Sequence, residues 1–455
     1  MTIRSTELRS SLKSAEEMPG SYGFPFIGET IELFKAEELF YWRHFQKYGP
    51  IFKTSAMGKN FAFLVGPDAN RLVLQEQADH VSTTLGWEFL NALFGNGLLF
   101  MEGETHRTSR RLMYPAFHGQ AIASYFDTIQ SSVQDCVKDW AARDSIALLS
   151  EFRQLTLAIA SRLFLGSQTT SEVGQTSQWF MELLNGGLSI LRLDVPWTPY
   201  GRSQRARQKL VEFLRPVIAQ RQSQKNLEES RDVLGLLLAA VDEEGNHLSE
   251  TEVIEHTLFM LVAGHETTAS LVTWLVFELG AHPEWQSRLR TEQANVLGTN
   301  CLNVSHLKQL PLLTNVLKEG ERLYPPVYGL PRGVIKDIEY AGYLIPAGWY
   351  VDVSPMLTHR MPEFFAEPDR FDPDRFAPPR EEDKQHPFAL VGFGNGPHRC
   401  LGFEFAQMEM RIILSTLLRQ FDWTVTPERS TITPVRQPSK VHSKLQAKFR
   451  GLNEV

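Results

Sequence analysis

Between Ser249 and Gly280 the chain carries about thirty residues of unbroken apolar helical pattern, and few folds can house a run of that length. Ser249 and Glu252 open it as an S-x-x-E capping box, and Gly280 with Pro283 beyond closes it. At ~1.5 Å per residue such a helix spans roughly 45 Å, and one so apolar has to cross the middle of a protein. A fold built around it is mostly helical.

The remaining pattern agrees. An irregular opening with Pro19-Gly20, Pro25 and Gly28 precedes an amphipathic helix near 29–48. Ile51–Ser55 and Phe61–Val65 read as a hairpin turned at Gly58-Lys59-Asn60. Helical patterns dominate from 68 to 325, broken by Leu85–Phe100 and by the polar stretch Gln222–Arg231. Short strands fill Val327–Val353, the Pro- and Asp-rich stretch 362–387 is coil, a helix covers 401–420, and strands follow in the tail. The expectation is a mainly α fold with a minor β-sheet. No linker, repeat or composition break divides the 455 residues, so a single domain over 1–455 is expected.

A net charge of −7 argues against nucleic acid as a partner. Three cysteines (Cys136, Cys301, Cys400) do not make a disulfide framework and point to a reducing compartment. The tail 1–18 is polar, with neither a signal-peptide core nor an apolar span. A cytoplasmic protein without a transmembrane anchor is expected, with peripheral membrane association left open.

Two places in this pattern suggest chemistry. Phe393-Gly-Asn-Gly-Pro-His-Arg-Cys-Leu-Gly402 puts Cys400 at the end of a glycine-bearing loop, just before an amphipathic run with Leu401, Phe405, Met408, Ile412 and Leu417. A thiolate at a helix N-terminus is stabilised by the dipole and by unpaired backbone N–H groups. Gly396 and Gly402 remove Cβ atoms where a flat cofactor needs the backbone close. That suits a sulfur held under a haem iron. A lone cysteine is more often a small buried hydrophobe, and a zinc site with His398 is a third option.

The second place is Ala263-Gly-His-Glu-Thr-Thr268, at the centre of the long helix. Gly264 costs ~1 kcal/mol relative to Ala there, and a threonine hydroxyl can bond the carbonyl four residues back and widen the turn. Thr267 would reach Ala263. The widened turn leaves room for a small ligand beside Thr267 and Glu266. A tolerated glycine with a solvent-facing glutamate is an even alternative for the fragment alone.

Four motifs in order resemble the cytochrome P450 superfamily over nearly the whole chain: the A/G-G-x-D/E-T-T/S stretch, Glu319-x-x-Arg322, Pro373-Asp-Arg-Phe376 and the cysteine loop. Asp374 stands where the family usually has Glu. The resemblance implies a P450 fold with Cys400 as axial ligand of haem b, a loop that includes Phe393, and a helix that approaches the haem at Gly264. It also implies that Thr267 steadies activated oxygen, that Glu266 takes part in a proton relay, and that Glu319, Arg322 and Arg375 form a buried structural network. His106 and Arg110 (i, i+4), Arg332 and His398 fall where the family binds the haem propionates, His398 replacing the usual Arg.

A narrower likeness, to the retinoic-acid-hydroxylating branch with its cyanobacterial member, rests on Gly49–Thr54, Gly201–Ala206, Ala263–Ser270 and Gln420–Trp423. That branch's Gly-Gly-Gly-Leu-Arg run is absent here, and Tyr328 interrupts the glycine pair expected after Pro-Pro-Val. The implied function is a monooxygenase that hydroxylates a hydrophobic retinoid-, isoprenoid- or fatty-acid-like molecule. It would use O2 and electrons from a ferredoxin or flavodoxin served by an NAD(P)H reductase, steered to Arg107, Arg111 and Arg399. Trp87, Phe89, Leu90, Phe94, Phe180, Leu183 and Leu184 are candidate pocket residues. A hydroperoxide isomerase or dehydratase, and a non-catalytic haem sensor or lipid carrier, are the alternatives.

Overall fold

The computed structural model of the protein describes residues 12–165, 170–187, 189, 192–223, 227, 230, 232–429 and 444–452. Residues 1–11 of the polar tail and most of the stretch after Ser223 up to Arg231 lie outside them. In chain order, the helices that matter below are α1 (Thr30–Tyr48), α2 (Gly103–Met113), α3 (Leu148–Phe164), α4 (Glu250–Ala281), α5 (Pro311–Leu323) and α6 (Phe403–Gln420). The longer strands used below are β1 (Ile51–Ala56), β2 (Lys59–Leu64), β3 (Leu330–Val334), β4 (Tyr350–Val353), β5 (Phe421–Thr426) and β6 (Gln446–Gly451). The fold is mainly helical with small sheets, as expected. No helix among the described residues is long and apolar enough to cross a membrane.

The chain divides into two compact units, each assembled from separated stretches. The described residues of one fall in 12–87 and 318–400, and those of the other in 88–317 and 401–452.

The first unit holds a five-stranded sheet in the order β1, β2, β4, β3 and the short Val81–Ser82 strand. β1 and β2 pair as an antiparallel hairpin, and β2 runs parallel to β4 with Phe61 opposite Tyr350. The hairpin turns at Met57-Gly58, both with positive φ, and not at Gly58-Lys59-Asn60. A two-residue turn of that hand matches strand twist, so Lys59 is free to pair with Ala56 as the first residue of β2. Phe52 stacks on Phe63 with centroids 4.7 Å apart, and α1 covers this aromatic face with Phe40 and Tyr41.

Below α5 the same unit buries a charged cluster. Glu319 and Arg322, three apart on α5, pair at 2.7 Å, and Arg375 reaches Glu319 at 3.1 Å; all three side chains are fully buried. Each remaining donor is used. Arg322 donates to the carbonyls of His359, Pro368 and Arg370, and Arg375 donates to Ala366 and to Glu382. The Asp372 N–H closes on Glu319 at 2.8 Å. A charge cluster this dry is tolerable only when every group is satisfied.

The second unit is organised by α4, a 32-residue helix opened by the expected Ser249/Glu252 capping box. It packs against α3, α6 and β5. Trp423 donates its indole N–H to the Val276 carbonyl at 2.9 Å. Gly280 is required there, since a Cβ would lie 2.4 Å from Val425. A seven-residue helix, Glu88–Phe94, forms inside the Leu85–Phe100 break. Midway along α6, Glu409 is buried with neither carboxyl oxygen hydrogen-bonded, and burial raises its pKa well above the usual carboxylate range.

Glu319→Ala should cost about 3–5 kcal/mol of stability in urea unfolding, because it leaves the buried Arg322 guanidinium without a counter-charge and Arg375 with Glu382 alone. Glu409 has the opposite sign of most acids. Its folded pKa lies above the unfolded one, so its neutral form supports the fold below about pH 4.5 and that support fades as pH rises. Calorimetry should therefore show the melting temperature of Glu409→Gln gaining on wild type from pH 5 to pH 8. A constant difference across that range would contradict the assignment.

Candidate active site

In the first unit the loop before α6 is closed by its own backbone. The Cys400 N–H donates to the Phe393 carbonyl at 2.9 Å, Gly394 N–H to Val391 at 2.8 Å, and Arg399 N–H to Gly396 at 3.1 Å. Asn395 caps the short Gly396–His398 turn. Gly396 has φ +65°, and a Cβ there would lie 1.9 Å from the Leu74 carbonyl oxygen, so packing on Leu74 already demands glycine at this position. Gly402, the N-cap of α6, is different: nothing lies within 4 Å of where its Cβ would sit.

Cys400 is exposed, and none of the three cysteines is in a disulfide. The contrast with Cys136 is informative, because burial pushes that thiol up to about 12 and makes it inert. Among the described residues no group of three His, Cys, Asp or Glu side chains is gathered, so a structural zinc would lack ligands. Cys301 is exposed as well, so what marks Cys400 is the loop closed on its own amide, and one sulfur there suits a metal whose other ligands come from an organic ring.

In the second unit α4 is buried along most of its length, yet Ala263 at its centre is exposed. Thr267 donates its hydroxyl to the Ala263 carbonyl at 2.6 Å. Gly264 faces the other way: its missing Cβ would come 3.3 Å from the Phe164 ring, so this glycine lets α3 approach α4. Glu266 lies beside α3 and is clamped there by Arg153, whose Nε reaches the two carboxyl oxygens at 3.0 and 2.9 Å. Thr156 on the same helix donates to the His265 carbonyl at 3.1 Å. His265 is fully buried against Phe180, and burial lowers its pKa to about 4, so the ring is neutral. Sequence reasoning misses Arg153, because nothing in an amphipathic helix 113 residues upstream marks one arginine as the partner of Glu266.

The expected cations fall in both units. His106 is buried and Arg110 half-buried on α2, while Arg332 is buried on β3 and His398 half-buried in the cysteine loop. Near Arg332 lies Asp352, which accepts from Tyr41 Oη at 2.6 Å and from the Leu330 N–H at 3.1 Å. Burial pushes this carboxyl up to about 7 against the opposing pull of Tyr41, Leu330 and Arg332. The anticipated positive face is weaker than its sequence implies: Arg107 pairs with Glu104 and Arg111 with Glu243, both at 2.6 Å. Of the candidate pocket residues, Phe94, Phe180 and Leu183 are fully buried, whereas Trp87, Phe89, Leu90 and Leu184 are partly exposed.

Comparison with known proteins agrees with this chemistry. The sequence model of the cytochrome P450 family matches residues 18–449. A putative cytochrome P450 120 from Synechocystis sp. is 36% identical over 442 residues, covering 95% of this chain and 98% of the relative. An abscisic acid 8'-hydroxylase of Arabidopsis thaliana is 31% identical, covering 91% and 86%. A solved cyanobacterial CYP120A1 with retinoic acid bound superposes with a TM-score of 0.87 at 35% identity, over 97% of this chain and 100% of that one. An exposed thiol in a closed loop, a threonine bonded back to the Ala263 carbonyl on a long apolar helix and these likenesses converge on one conclusion: the chain belongs to the cytochrome P450 family of haem-thiolate monooxygenases.

Proposed function

We propose that this enzyme hydroxylates a hydrophobic small molecule of retinoid, isoprenoid or fatty-acid type, with Cys400 as the axial thiolate of a haem b. The observation that carries the reading is the exposure of Cys400 in a loop closed by its own amide. Exposure alone does not mark it, since Cys301 is exposed too; the closure of the loop on the Cys400 amide does. When bound, a haem with a thiolate ligand supplies activation of O2 and insertion of one oxygen atom into a C–H bond, two electrons and two protons turning the other into water.

The chain's own part is to hold the ligand, exclude water and move protons. Thr267 spends its hydroxyl proton on the Ala263 carbonyl, which leaves Oγ1 as an acceptor toward the exposed side of α4. A water or oxygen species hydrogen-bonded there would be fixed at a set point beside the helix. Glu266 is the nearest carboxylate in sequence, and both of its oxygens are engaged by Arg153. It can hand on a proton only when it leaves that clamp, so Arg153 holds the relay closed between turnovers. His106, Arg110, Arg332 and His398 are the proposed partners of two propionates, the arginines by charge and the histidines by hydrogen bonds.

The retinoid end of the substrate range is supported by the retinoic acid bound to the cyanobacterial relative. Tyr328 and the missing glycine-rich run favour a changed shape at one end of the ligand. A ferredoxin or flavodoxin is the proposed electron donor. The exposed pairs that Arg107 and Arg111 make with Glu104 and Glu243 would weaken the positive face offered to such a donor.

The reduced holoprotein with carbon monoxide should give the red-displaced Soret band of a thiolate-ligated haem, and Cys400→Ala should lose it. A wild-type spectrum without that band sinks the reading. Retinoic acid, farnesol and palmitate titrated into the ferric protein should separate the substrate classes by their spectral shifts. Thr267→Ala should lower product formed per NAD(P)H consumed on the order of 10²-fold, within the usual range for loss of a proton-transfer group, while substrate affinity stays near wild type.

A further inference from the structure

The cysteine loop hangs from α5 by backbone groups. Val391 N–H donates to His359 Nε2 at 3.0 Å, and His359 Nδ1 lies 3.2 Å from the Arg322 carbonyl. These contacts fix the tautomer: Nδ1 carries the proton and Nε2 accepts. Burial pushes this imidazole down to about 3, which keeps it neutral.

The next two peptides meet a carboxyl group. Glu321, between Gly320 and Arg322, is buried. Its carboxyl group lies against the Gly392 and Phe393 peptides, whose N–H groups act to favour its ionised form. The fit is close enough that a Cβ on Gly392 would lie 2.5 Å from Glu321 Cγ. The Phe393 carbonyl in turn accepts the Cys400 N–H at 2.9 Å. Phe393 therefore has Glu321 at its N–H and Cys400 at its carbonyl. The charges that face the carboxylate are Lys318, from its own helix and paired with Asp383 at 2.6 Å, and Arg399 from the loop. Neither overcomes burial, which pushes this acid up to about 7.

We propose that Glu321 is a positioning residue for Cys400: as a carboxylate it holds the Gly392 and Phe393 amides and so sets the tilt of the cysteine peptide, and once protonated it lets the loop slacken. The inference rests on Cys400 as the haem ligand. An ionised acceptor binds an N–H roughly twice as strongly as a neutral one, and a protonated carboxyl brings an O–H for which this site has to find an acceptor. The two pH effects have opposite signs. The raised folded pKa means Glu321 favours the fold below about pH 4.5 and that contribution is lost as pH rises through about 7, whereas its grip on the loop is strongest above 7.

The test uses haem-loaded wild type with Glu321→Gln and Glu321→Leu, from pH 6 to pH 8.5. Wild type should lose its thiolate-type carbon monoxide band reversibly on acidification, with a midpoint near 7. Glu321→Gln, which has no charge to lose, should show a flat profile. Amide hydrogen exchange across 391–400 should be about tenfold faster in Glu321→Leu, the scale of a buried donor left without its acceptor. Exchange and pH profiles equal to wild type in both variants would overturn the proposal and leave Cys400 standing. Absence of the band from wild type at every pH would overturn both.

Discussion

The site side of the first unit depends on Glu319 being shared between two guanidiniums in a space that admits no water. A lone carboxylate or a lone arginine could not be buried there, because the desolvation cost of each is several kcal/mol. Together they are stable only if Arg322 and Arg375 also find carbonyls, and they find them on the irregular segment after β4: His359, Ala366, Pro368 and Arg370. The expected coil over 362–387 in fact holds two short helical turns, Pro373–Phe376 and Glu382–Gln385, and the cluster gives the rest of it definition. His359 shows the link directly, since its carbonyl accepts a hydrogen bond from Arg322 while its ring accepts one from the Val391 N–H of the loop that bears the cysteine.

Much of this is legible in short spacings. Glu319 and Arg322 share a helical face at i, i+3, and the Thr267-to-Ala263 bond follows from i, i+4 geometry alone. The capping box at Ser249 and the apolar length of α4 are local signals of the same kind. Hairpin register is less secure: the turn falls at Met57-Gly58 because two positive-φ residues match the twist of β1 and β2, a demand that the more polar Gly58-Lys59-Asn60 sequence disguises.

What stays hidden are partners set by tertiary distance. Arg153 meets Glu266, Glu382 meets Arg375, and Glu321 meets Gly392 and Phe393 across gaps that no periodicity encodes. The glycines teach the same lesson. Gly264 and Gly396 look like positions cleared for a cofactor, yet Phe164 and Leu74 already account for their missing side chains, while Gly402 alone of the three meets no neighbour. Only packing tells these uses apart.

The closure of the cysteine loop also limits how the sequence could be redesigned. Because the Cys400 amide returns to the Phe393 carbonyl while Gly396 is wedged on Leu74, the segment has fixed anchor points at its start, middle and end. Adding or deleting one residue between them would break the ring or drive backbone into backbone. Grafts from another scaffold would have to match this segment in length, leaving composition at Pro397 and His398 as its adjustable part.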